Sequence, residues 1–198
     1  MITIDLDAEL AAAVRALSDD QANMLVACGV NRLDIDLGMV GGVLARIEGD
    51  FYVLDPDGGR PAFVTPVRVD TASSPESRVP DSTVRMGSLI DLVAWHPARP
   101  NSWAQRIGTA EWLGAIDPQY LDPAPVLVRS SPLSWFKSGC SGLVPLSRQT
   151  PDIYRLLVGC RSGVVAEDDA HAAKLRRILE RPWSAPPVFV KRERRHAA

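Results

Sequence analysis

The hydrophobic period of this chain changes near Val40, and that change limits the folds open to it. Before it, Leu6, Leu10, Ala13 and Leu17 recur at helical spacing, with Asp5 or Asp7 able to cap the start. Ser18 followed by Gln21 is a capping-box pattern that opens a second helix. Met24, Leu25 and Cys28 form its apolar stripe and Gly29 stops it. After Val40 the residues alternate instead. Residues 43–47, 51–54 and 61–69 read as strands, and Asp55-Pro56-Asp57-Gly58-Gly59 as the turn between the last two. Helical spacing returns near the end. The order predicts an α+β fold: an N-terminal helical hairpin, a central mostly antiparallel sheet and C-terminal helices.

Two tempting motifs fail on chemistry. Paired short helices suggest a DNA-reading helix-turn-helix, but the second begins Asp19-Asp20 and holds no Lys or Arg, so it would repel phosphates. It reads as a packing hairpin. The aspartates of the 55–59 turn resemble the start of a calcium loop, yet the third ligand and the distal glutamate are missing.

Further along, residues 71–82 are polar, hold two prolines and are the candidate hinge or lid. Residues 88–95 form the most apolar strand, interrupted by Asp91. Residues 96–101 read as a rigid polar loop, and 103–114 as a strand bulged at Gly108 or a short helix. Residues 125–129 make a short strand, Ser131-Pro132 opens a short helix that Gly139 stops, and 142–146 forms another strand. Thr150-Pro151-Asp152 opens a helix ending near Gly159, and 167–180 is the clearest helix, acidic at its start and basic at its end. Residues 1–186 are expected to form one domain, and 187–198 a basic, flexible tail.

Composition removes several classes. With 46% hydrophobic and 23% charged residues the chain can bury a core rather than stay disordered. No run approaches the roughly 20 apolar residues of a membrane span, and the acidic N-terminus has no basic segment of a secretory signal. Cys28, Cys140 and Cys160 form no CxxC pair and have no neighbouring histidine, which predicts reduced thiols, no metal site and a cytoplasmic protein. No cofactor motif is present, and none is expected. Charge is uneven: from Lys174 onward eight basic residues face two glutamates, a net of +6, which leaves −8 on the remainder. Lys191, Arg192, Arg194, Arg195, Arg176 and Arg177 are the candidate nucleic-acid contacts of that basic end.

Four residues are candidates for chemistry. Asp91 interrupts an apolar run and must face water or find a counterpart; Arg106, Arg129 or Lys137 could pair with it. His96 sits at a strand end beside prolines and could move a proton. Cys140 lies in Ser138-Gly139-Cys140-Ser141-Gly142, where glycines could expose a nucleophile or simply end a helix and start a strand. Arg129 completes the set. His171 shares a helical face with Leu175 and Ile178 and reads as a packing residue. Trp95, Trp103, Trp112 and Trp135 fit the heart of a core better than a stacking surface.

Asp91-Leu92-Val93-Ala94-Trp95, Pro97, Pro100 and Trp103, Trp112-Leu113-Gly114, Pro132-Leu133-Ser134-Trp135 and Gly139-Cys140-Ser141-Gly142-Leu143-Val144 follow one another within residues 91–146. That run resembles a group of uncharacterised proteins from bacterial genomes and prophage-like elements, often found near replication genes. The landmarks are Trp, Pro and Gly, so the resemblance implies a shared fold and brings no catalytic residue with it. With the basic end, it leads to an expected function: a non-enzymatic accessory protein of a phage or mobile element that contacts nucleic acid or a nucleic-acid-processing partner. A small enzyme with a Trp-lined pocket and a protein-interaction module without nucleic acid are the alternatives.

Overall fold

The computed structural model describes residues 4–69, 87–114, 125–160 and 162–180. The candidate hinge and the basic tail, including Lys191, Arg192, Arg194 and Arg195, lie outside the described residues. The protein mixes helices and strands, as α+β requires.

Five strands close into a barrel: β1 (Gly41–Glu48), β2 (Phe51–Leu54), β3 (Arg60–Val69), β4 (Ser88–His96) and β5 (Arg99–Gln105), in the order β1-β2-β5-β4-β3. β1 pairs antiparallel with β2 and β3, β4 does so with β3 and β5, and a parallel pairing of β2 with β5 at Phe51 and Gln105 closes the ring.

The two central strands are buried on both faces, which explains their near-continuous apolar runs. One face sends Val64, Leu92 and Ala94 into a cluster with Leu10, Ala13 and Ala104 of β5. The other sends Phe63, Val67, Val93 and Trp95 into a larger cluster with Leu25, Leu133, Trp135 and Phe136. There Trp95 stacks on Phe136 at 5.5 Å between ring centroids and donates its indole N–H to Thr65 Oγ1 at 2.8 Å. Trp95 and Trp135 are core residues, 1% and 3% exposed, whereas Trp103 and Trp112 are half-buried.

The helices α1 (Leu6–Ala16) and α2 (Asp19–Ala27) begin as their caps dictate: Asp5 accepts the amide of Ala8, and Ser18 and Gln21 form the reciprocal capping box. They are not a hairpin that packs on itself. Leu10 and Ala13 of α1 enter one barrel cluster, and Ala22 and Leu25 of α2 enter the other. The close seat of α1 depends on Gly41, since a Cβ there would stand 2.6 Å from the Cβ of Ala13 and 2.7 Å from its carbonyl carbon. A single further turn, α3 (Arg32–Asp36), follows, too short to leave a readable period.

After the barrel come β6 (Trp112–Leu113), β7 (Val126–Leu127), α4 (Pro132–Lys137), β8 (Val144–Pro145), α5 (Thr150–Gly159), β9 (Val164–Val165) and α6 (Asp169–Leu179). α5 and α6 close a third cluster over β7 through Leu157, Leu175 and Ile178. The loop expected over residues 96–101 is shorter than its sequence suggests. Only Pro97 and Ala98 turn, and Arg99, Pro100 and Asn101 already belong to β5. His96 Nδ1 accepts the amide of Ala98 at 3.1 Å, a local bond that tightens the turn.

Candidate functional site

Asp91 is fully buried, and none of the three expected cations serves it. Its carboxylate accepts five backbone amides: Leu92 (2.8 Å), Arg106 (3.0 Å) and Ile107 (3.0 Å) on Oδ1, Gly108 (2.7 Å) and Thr109 (2.9 Å) on Oδ2. The expectation of an internal salt bridge is corrected here. Peptide N–H groups offered in a row by a turn suit a buried carboxylate as well as a guanidinium does, without burying a second charge. The guanidinium of Arg106 instead pairs with Glu9 at 2.7 Å, on α1, and lies over the ring of Tyr52. With its acceptor positions filled and no access to water, Asp91 is a fold-organising residue.

Nor do the other three candidates for chemistry share one pocket with it. Cys140 has a φ of 58° at the end of the helix α4, and burial, with Asp34 beside it, pushes its thiol up to about 12. Such a thiol holds its proton at neutral pH and makes a poor nucleophile. Arg129, half-buried, donates Nε–H to the carbonyl of Ser141 and lines a cleft next to α6. His96 lines a different cavity on the barrel, where burial and then the charge of Arg99 hold its pKa below the usual value.

The cleft at Arg129 has a volume of about 430 Å³ and draws on four separate stretches of chain. Asn101 and Trp103 come from β5. Arg129 and Ser130 follow β7, Ser147 and Arg148 lead into α5, and His171, Lys174 and Arg177 lie one to two turns apart on α6. Among the described residues no aspartate or glutamate lines it. Arg148 meets Asp50 at 3.4 Å and also donates to the carbonyl of Trp103. For Arg129, Lys174 and Arg177 no carboxylate lies within salt-bridge distance among the described residues. Trp103 is fixed by its indole N–H, which donates to the carbonyl of Leu146 at 3.3 Å.

The spacing of α6 produces this arrangement. Leu175 and Ile178 anchor one stripe of the helix in the third cluster, so Lys174 and Arg177, each one position earlier, fall along its margin beside His171. His171 lines the cleft, and its Nδ1 accepts the amide of Glu167 at 3.4 Å. Burial and the charge of Lys174 lower its pKa against the opposing pull of Glu167 and Asp168. Glu167 stands behind it, held by a 2.6 Å hydrogen bond from Ser130 Oγ. Of the expected nucleic-acid contacts, Arg177 lines the cleft and Arg176 is exposed on the same helix. Asn101 and Arg148 carried no local signal, and Trp103 reads with the other tryptophans as core, because no segment alone reveals a cleft built from four.

Among the described residues no helix is long and apolar enough to cross a membrane. No family model, curated protein or solved structure matches the chain.

Proposed function

We propose that the protein is a nucleic-acid-binding accessory protein that holds a single strand in the cleft between β5 and α6. One observation carries this reading: four cationic side chains and an immobilised tryptophan line a concave surface that bears no carboxylate. Lys and Arg at such a surface neutralise backbone phosphates, and an indole face accepts a stacked base of any identity. A stacked base must be unpaired to lie on the indole, which favours a single strand over a duplex. The −8 charge on the rest of the sequence opposes polyanions, so the expected affinity is modest, roughly micromolar at physiological salt. The basic tail would extend the same positive region, and a place in the cytoplasm, beside phage or mobile-element replication, fits the reading. No residue of this surface is assigned to catalysis.

Titration of a labelled, unphosphorylated single-stranded oligonucleotide, followed by anisotropy over a series of salt concentrations, tests the proposal. Trp103→Ala should weaken binding about tenfold or more, in line with the usual value of one base stack. Replacing Lys174 and Arg177 with Gln should flatten the slope of log K against log salt by about 1.4, two phosphates at roughly 0.7 each. Absence of binding by the parent at low salt, or equal binding by these variants, would overturn it, and a preference for duplex would overturn the single-strand assignment.

A further inference from the structure

A second cationic cavity opens on the barrel and is independent of the α6 cleft. Its volume is about 390 Å³. Arg46 and Ile47 on β1, Arg60 and Pro61 on β3, Trp95 and His96 on β4 and Arg99 and Ser102 on β5 contribute to its wall, and among the described residues no carboxylate lines it. Of its three arginines only Arg46 is neutralised locally, by Glu48 at 3.0 Å and more loosely by Asp55 at 3.9 Å. Arg60 and Arg99 have no carboxylate within salt-bridge distance among the described residues. The barrel thus holds Arg60 and Arg99 at one hollow without supplying a carboxylate for either, an arrangement that an incoming anion would complement.

The donors are specific in kind. Guanidinium groups present planar pairs of N–H groups that match two oxygens of a phosphate. His96 accepts the amide of Ala98 on Nδ1, so Nε2 carries the proton of the neutral ring and is a donor. Ser102 adds a hydroxyl. Beside these, Ile47, Pro61 and Ala62, backed by the buried Ala45 and Trp95, offer an apolar wall against which a sugar or base could rest. The volume lies within the range of small-ligand sites.

From this juxtaposition we infer that the cavity formed by Arg60, Arg99, His96 and Ser102 binds the phosphate monoester of a nucleotide. That group can belong to a mononucleotide or to the phosphorylated end of a strand. β5 lies between the two sites, since Arg99 and Ser102 line this cavity and Asn101 and Trp103 the other. A strand in the α6 cleft could therefore bring its end here, although the inference does not depend on that cleft.

Calorimetric titrations with adenosine monophosphate, inorganic phosphate, and one oligonucleotide with either a 5′-phosphate or a 5′-hydroxyl test it. The parent should bind the monophosphate, or bind the 5′-phosphorylated strand about tenfold or more tightly than the hydroxyl form. Replacing Arg60 and Arg99 with Gln should remove that binding or that preference while thermal unfolding stays cooperative. A gain seen only with the oligonucleotide assigns the site to strand ends. Binding of the free monophosphate assigns it to mononucleotides. Binding of inorganic phosphate alone, indifference to every phosphate monoester, or unaltered binding by the double variant would overturn the inference. The 5′-hydroxyl strand keeps the two readings apart, since its binding should respond to Lys174 and Arg177 and not to Arg60 and Arg99.

Discussion

Asp91 accepts the amide of Gly108 at 2.7 Å, and this bond is one of four that fold the 106–109 turn around one buried carboxylate, which also accepts the amide of Leu92. Gly108 has a φ of 87°, which suits glycine, and a Cβ there would stand 2.5 Å from the ring of Phe51. Asp91→Ala would leave several donors without an acceptor, some of which water could reach once the turn opens. The expected cost is about 3–5 kcal/mol, with Asp91→Asn costing less because it keeps one oxygen. Urea unfolding measures both. A loss below about 1 kcal/mol for the alanine variant would mean that something other than the carboxylate holds the turn.

Thr65 accepts a hydrogen bond from the indole of Trp95 among the stacked rings of the main core. Thr65→Val keeps the shape and removes the acceptor, and should cost about 1–3 kcal/mol, because the indole N–H stays buried and unpaired. Trp95→Ala should cost about 3–5 kcal/mol. In the background of Trp95→Phe the threonine substitution should cost little, and a double-mutant cycle reads the difference.

Alkylation of the native protein at pH 8 should leave Cys140 largely unmodified. With its thiol pushed up from 9.0 to about 12, its thiolate population is lower by about three orders of magnitude than that of an unperturbed cysteine. Cys160 is buried, with its Sγ against the carbonyl of Leu156. Denatured but unreduced protein should take up three labels, as expected of thiols that form no disulfide. Mass spectrometry after proteolysis separates the sites, and rapid native labelling of Cys140 would contradict the pKa shift.

Stability should fall as pH drops from 7.5 to 5.5. His96 and His171 both have folded-state values below 6.5, through burial first and then a neighbouring cation, Arg99 in one case and Lys174 in the other. In the window between the folded values and 6.5 the unfolded chain binds more protons, so unfolding becomes easier as pH falls through it. Asp152 and Glu167, whose values are also lowered, act in a separate window below about 4.5. Replacing both histidines with Gln should flatten the profile between pH 5.5 and 7.5, and an unchanged slope would place its origin elsewhere.

The sequence by itself determined the local starts and stops and the class of fold. Ser18 with Gln21, Ser131 before Pro132 and the residues that end each helix act over three or four positions, and a short-range bond is readable wherever its two ends lie close in sequence. Burial of Trp95 and Trp135 was legible for a similar reason, since large apolar rings in apolar runs have few other places to go. Closure of the barrel, the departure of α1 and α2 to different clusters, and the counterparts of Asp91 were decided by tertiary structure alone. The amides that hold that carboxylate lie mostly 15 to 18 residues away and have no residue-type signature, because every residue except proline offers the same N–H. The same holds for the candidate sites. Charge counting found the basic end and Arg177, but Arg148 was isolated in sequence and Trp103 looked like one more core ring. Only the packing of α6 against the barrel brought Trp103, Arg129, Arg148, Lys174 and Arg177 to one surface, since residues so far apart along the chain converge only when a common core draws their elements together.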